Sequence, residues 1–225
     1  MKKVKKGKNF KRERLLISLS VIIFYLICPY IIASIKKLFN IGDCLFLGII
    51  LHLALVMALL FIYRKDLKDY FDDFKKNKKK YLKLIIIFAI ISILAVIVIN
   101  GIIIHVLNIN HVTENENALL ESFKTYPLIV SLLTIVYYPI VEEIVFEKTI
   151  KDVISNKWLF IILSALFFWY YNIAYIGGIS YITIISSLYY FVAGFIRALV
   201  FYKTDNLYVP MGIKSLCNLF VTIIS

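Results

Sequence analysis

The chain has 225 residues, 61% of them hydrophobic, with a mean hydropathy of +0.86 and only 8 Gly and 4 Pro. That profile excludes an ordinary soluble domain and points to an all-α, polytopic membrane protein. The net charge of +12 does not point to nucleic acid, because the basic residues sit in clusters beside apolar spans and no basic stripe with interleaved aromatics appears.

Residues 1–14 carry Lys2, Lys3, Lys5, Lys6, Lys8, Lys11, Arg12 and Arg14 against a single acid, Glu13. A basic segment immediately before an apolar span is expected to stay in the cytoplasm. Residues 15–35 then match the length a bilayer core requires, and no small-residue cleavage site follows, so this is an uncleaved first helix rather than a signal peptide. Lys36 and Lys37 are expected to form a short external turn, and residues 44–63 return as the second span. His52 within it reads as a hydrogen-bonded packing residue rather than a ligand.

Residues 64–83 mix nine basic residues with Asp66, Asp69, Asp72 and Asp73, the pattern of a main cytoplasmic loop. Such a segment can attract anionic headgroups, but its simplest role is to set topology. Residues 84–106 form a third span whose uniform apolarity predicts lipid on most faces. Residues 15–106 thus make a three-helix N-terminal unit. Residues 108–126, with Asn108, Asn110, Asn115, Asn117, Glu114, Glu116 and Glu121, are the polar external loop; His105 and His111 near its start lack metal-ligand spacing.

The fourth span, residues 127–146, holds Glu142 and Glu143 in an otherwise apolar run. A carboxylate at bilayer depth costs about 2.5–3.5 kcal/mol or more on insertion scales, so two together point to a bundle interior or a wet cavity. Neighbours on a helix lie roughly 100° apart, so both can face one cavity without sharing a line. Pro139 just upstream invites a kink. The alternative is that the helix ends at the pair, with the acids wet at the interface.

Residues 147–157 read as a short charged loop, and residues 158–176 as the fifth span, with Phe168-Trp169-Tyr170-Tyr171-Asn172 near its far end. Gly177 and Gly178 make the next turn. The sixth span, residues 180–202, ends with Arg197 and Lys203, which orient it toward the cytoplasm. The seventh, residues 207–224, contains Lys214 and is the span whose full insertion is least determined. Cys28, Cys44 and Cys217 are odd in number and widely spaced, which fits neither a disulfide framework nor a thiolate metal site.

Three polar stations in the C-terminal half resemble, in order and spacing, the CAAX protease and bacteriocin-processing family of intramembrane proteases, also called the Abi family. That family shows Glu-Glu-x-x-x-Arg, then Phe-x-x-x-His, then His-x-x-x-Asn after a Gly-bearing helix and a short turn. The corresponding stretches here are Glu142-Glu143-Ile144-Val145-Phe146-Glu147, Phe168-Trp169-Tyr170-Tyr171-Asn172 and Lys214-Ser215-Leu216-Cys217-Asn218, with Gly194 and Thr204-Asp205 before the last. Both acids are kept; Glu147 stands for the arginine, Asn172 for the first histidine and Lys214 for the second.

The resemblance implies a membrane domain over residues 127–225, with Glu142, Glu143, Asn172 and Asn218 as candidate catalytic residues and Lys214, Phe168 and Glu147 as candidate binding residues. In active members a glutamate activates water, and the histidines help position it or bind a metal. Without imidazoles the remaining donors suit zinc poorly, so no cofactor is expected unless the altered site still takes zinc. Lys214 is expected to pair with one of the two glutamates. Two functions stay open: a catalytically degenerate member that binds a membrane peptide, a lipidated protein tail or a partner membrane protein, and an active endopeptidase using the Glu142/Glu143 pair. A role in bacteriocin self-immunity or cell-envelope regulation fits either by resemblance. An unrelated helical transporter is the third possibility.

Overall fold

The structure, a computed structural model, describes residues 2–38, 45–109, 114–174 and 180–224. Among these residues every regular element is helical. In chain order they are α1 (Lys2–Leu38), α2 (Leu45–Ile62), α3 (Arg64–Lys76), α4 (Lys78–His105), α5 (Glu114–Thr125), α6 (Pro127–Val153), α7 (Lys157–Ala174), α8 (Tyr181–Thr204) and α9 (Tyr208–Ile224). By length and composition α4, α6 and α8 can each cross a membrane, and Leu53–Ile62, Lys157–Ile173 and Tyr208–Ile224 are shorter apolar helices. The protein is a helical membrane protein.

Several boundaries differ from those read in the sequence. The helix of α1 runs through Lys36 and Lys37 to Leu38, where a turn was expected. The segment 64–83 is helical: α3 carries acid in its first turn and Lys75 and Lys76 in its last, which suits the helix dipole. Three of its apolar residues fall at helical spacing and pack inward, Leu67 and Tyr70 on one core cluster and Phe74 on the other. The loop expected at residues 108–126 likewise contains α5. The expected charged loop at residue 147 is absent, because α6 continues to Val153 with Glu147 and Lys148 buried. The Gly177-Gly178 turn, Cys44 and His111 lie outside the described residues.

Helices α6, α7, α8, α9 and the first half of α4 form the bundle that positions the site, with α8 lying along α7 and α9 between α4 and α6. Two glycines set close approaches. A Cβ on Gly194 of α8 would lie 3.2 Å from the Ala165 Cα of α7, and one on Gly212 of α9 would lie 2.7 Å from Ile85 Cδ1 of α4. Beyond its buried Tyr81, Ile85, Ala89 and Ser92, α4 exposes Ile86, Ile90, Leu94, Ile97 and Val98, as expected of a lipid-facing helix. Asp205 ends α8 in the left-handed region at φ 49°, and the Asn206 side chain accepts from Tyr208 N–H at 3.1 Å to begin α9. The last helix is continuous from Tyr208 to Ile224.

Candidate functional site

The site is built on α6, whose ladder is interrupted by two single π turns, Leu133–Tyr137 and Ile144–Lys148. They bracket the α-helical segment Tyr138–Glu143 that carries both acids. A π turn shifts the backbone pairing by one residue and releases a carbonyl from its usual partner. In the first, Tyr138 N–H bonds to Leu133 O, and the next possible donor to Thr134 O is Pro139, which has no N–H. That carbonyl is taken by a side chain from another helix: Asn218 Nδ2 of α9 donates to it at 2.6 Å. In the second, Thr149 N–H bonds to Ile144 O, and the Thr149 hydroxyl donates to the Val145 carbonyl. The kink signal at Pro139 is thus realised as a π turn that ends two residues upstream, at Tyr137.

Glu142 and Glu143 are 7% and 2% exposed, so the helix does not end at the pair. Lys214 Nζ of α9 donates to Glu142 Oε2. Arg197 Nε of α8 donates to Glu143 Oε1 at 2.7 Å. Both cations sit over the Phe168 ring of α7, Arg197 at 4.3 Å and Lys214 at 4.5 Å from its centroid, a favourable placement for a desolvated cation. Gly194 makes room for that ring, since a Cβ there would meet Phe168 Cδ1 at 3.1 Å. Glu147, 3% exposed, faces Glu143 and Arg197.

Four helices therefore converge on one buried cluster, and the sequence-predicted residues Glu142, Glu143, Glu147, Phe168 and Lys214 belong to it. Asn218 touches the backbone of the same α6 segment rather than its acids. Asn172 Nδ2 donates to the Phe168 carbonyl one turn back at 2.8 Å. Arg197 was read from the sequence as a marker of orientation and is instead a buried partner of Glu143. Its signal was available: a guanidinium inside the apolar run of residues 180–202 is subject to the same cost that singled out the glutamates.

Tyr25 of α1 was also missed. It stacks on Tyr171 at 4.7 Å, meets Phe146 edge-on at 5.6 Å, and lies within electrostatic reach of Glu142. The first helix, outside the motif-bearing half, thereby walls the cluster. Immediately after Glu147, Lys148 Nζ donates to Asp152 Oδ1 at 2.6 Å, and Arg14 of α1 bridges Asp152 at 3.1 Å and Asp66 of α3 at 2.6 Å. Ser18 and the Tyr63 hydroxyl complete this network at 3.2 Å. A second one joins α3, α4 and the α8–α9 turn: Asp73 accepts from Tyr81 at 2.6 Å, Asn206 at 2.8 Å and Asn77 at 2.8 Å. The Tyr81 hydroxyl first, and then the Asn206 amide, hold the Asp73 carboxyl below its ordinary value.

Among the described residues no three His, Cys, Asp or Glu side chains converge in a metal-binding group, and the two motif carboxylates each hold a cationic side chain.

Residues 124–220 match a family model described as type II CAAX prenyl endopeptidase Rce1-like. Among curated proteins, the "Putative membrane peptidase YdiL" of Bacillus subtilis (strain 168) is 30% identical over 122 residues, which cover 53% of this chain and 46% of that protein. The chain spans about half the length of this curated relative. No solved structure matches.

Proposed function

We propose, on the premise that residues 124–220 are Rce1-like, that this membrane protein is a catalytically degenerate member of that family, which binds a membrane peptide or partner protein without cleaving it. The observation that carries this reading is the engagement of both motif acids. A glutamate that activates water takes up that water's proton. Here Lys214 stands in an imidazole position and donates to Glu142, while Arg197 holds Glu143. Each acid is thereby committed to a buried ion pair, which taking up a proton from water would break.

The cluster then works as a lock. Two ion pairs on one aromatic ring fix α6, α7, α8 and α9 relative to each other, and the surrounding bundle presents its surface to the occupant. A lipidated protein tail or a bacteriocin-like peptide is the class of occupant the resemblance favours, and self-immunity or envelope regulation is the corresponding role. The protein sits in the cell membrane with residues 1–14 cytoplasmic, a reading supported by the basic clusters and by the gathering of Arg14, Asp66, Lys148 and Asp152 at one end of the bundle.

The rival reading is an active endopeptidase, favoured by the peptidase name of the relative. Purified protein incubated with a membrane-embedded peptide separates the two. No cleavage dependent on Glu142 or Glu143 is expected. Cleavage by the wild type that falls roughly 10²-fold or more in Glu142→Gln, the scale of a general base, would replace this reading with the enzyme.

A further inference from the structure

The buried cluster holds three carboxyls and two cations: Glu142, Glu143 and Glu147 against Arg197 and Lys214. Lys214 takes Glu142 and Arg197 takes Glu143, through one carboxylate oxygen each. With every group ionised, one negative charge would remain uncompensated inside a membrane bundle, which is costly.

A second, independent observation locates the excess. Glu143 Oε2 and Glu147 Oε2 are both fully buried and have no hydrogen-bond partner among the described residues. Their carboxyls adjoin on α6. An ionised carboxyl can only accept, whereas a protonated one also donates. A single proton placed on this pair therefore supplies the donor that both oxygens lack and cancels the extra charge.

We propose that Glu143 and Glu147 share one bound proton, held between their two unpartnered oxygens. The proton is placed on Glu147, because Glu143 already accepts the charge-assisted bond from Arg197 Nε. The charged and titratable groups facing the pair are Lys151 on α6, Glu142 one residue before it, Arg197 on α8, and Lys214 and Cys217 on α9. The cluster is then neutral: two ion pairs and one carboxylic acid. The inference stands on cluster geometry and holds whether or not the protein cleaves peptides.

Infrared spectroscopy of the purified full chain at neutral pH tests it. The wild type is expected to show a buried carboxylic-acid C=O stretch, separate from the carboxylate bands and shifted in deuterated buffer. Glu147→Gln should abolish that band, while Glu121→Gln on exposed α5 leaves it in place. If Glu147→Gln does not fold, Glu147→Asp provides the second reading, with a moved band expected. A wild type lacking the band overturns the proposal, as does a band unchanged in Glu147→Gln or, in its place, Glu147→Asp. A missing band together with thermal stability that depends on sodium or potassium also overturns it, in favour of a bound cation.

Discussion

Lys214 and Arg197 show how a charge inside an apolar helix acquires its role from its partner. Each is 5% exposed and each meets one acid of the motif pair. Removing one member of a buried pair costs about 3–5 kcal/mol, because the other is left as an uncompensated charge. Lys214→Met and Arg197→Met are each expected to lower the thermal unfolding temperature in detergent well below that of Lys76→Met, whose side chain is exposed. Combining Lys214→Met with Glu142→Gln should recover part of the loss, since the orphaned carboxylate is removed too. Equal unfolding temperatures for Lys214→Met and Lys76→Met would show the pair to be energetically silent.

At the scale of elements, α6 depends on its neighbours for backbone bonds it cannot make itself. The first π turn and Pro139 together leave Thr134 O to Asn218 of α9. Asn218→Leu is expected to destabilise the protein by about 1–3 kcal/mol, the cost of a buried polar group without a partner, as read by thermal unfolding. Asn218→Gln, which keeps an amide, should cost less.

The junction of α3, α4 and the α8–α9 turn makes a pH prediction. Asp73 is held below its ordinary value by Tyr81 and Asn206, so its folded form releases the proton more readily than its unfolded form. The stabilisation is complete above the unfolded value and is lost as pH falls through the folded one. Wild-type stability should therefore drop on acidification through the carboxylate range by more than that of Asp73→Asn. Parallel acid profiles for the two proteins would contradict this.

Over the whole molecule, the networks around Arg14 and around Asp73 both lie at the end of the bundle where α1, α3, the C-terminal end of α6 and the α8–α9 turn meet; Lys151 adds a 2.7 Å bridge to Asp205 there. The proposed orientation, with the basic segments cytoplasmic, makes a labelling prediction. In a cysteine-free background, with Cys28, Cys44 and Cys217 replaced, a single cysteine at Lys76 is expected to resist an impermeant thiol reagent in intact cells, and one at Asn117 to react. The opposite labelling would invert the orientation.

The sequence by itself determined the membrane class, the apolar helices and three cluster residues, Glu142, Glu143 and Lys214, because hydropathy and the cost of buried charge act locally along the chain; Phe168 and Glu147 came from the motif resemblance alone. A glutamate pair or a lysine in an apolar run stands out whatever surrounds it, and the motif frame ordered Glu142, Phe168 and Lys214 before any geometry was known. Where α6 stops was decided by packing: Glu147 and Lys148 read as loop because they are charged, yet Arg197, Asp152 and Asp66 supply the partners that let the helix carry them inward. The pairing pattern was equally beyond the sequence. Lys214 could have met either acid; in the folded bundle Arg197 of α8 occupies Glu143 and Lys214 of α9 meets Glu142. Tyr25, about a hundred residues from the motifs, joins the cluster only because α1 packs on the C-terminal part of α6. Partner choice depends on which helices lie side by side, and that is a property of the folded bundle.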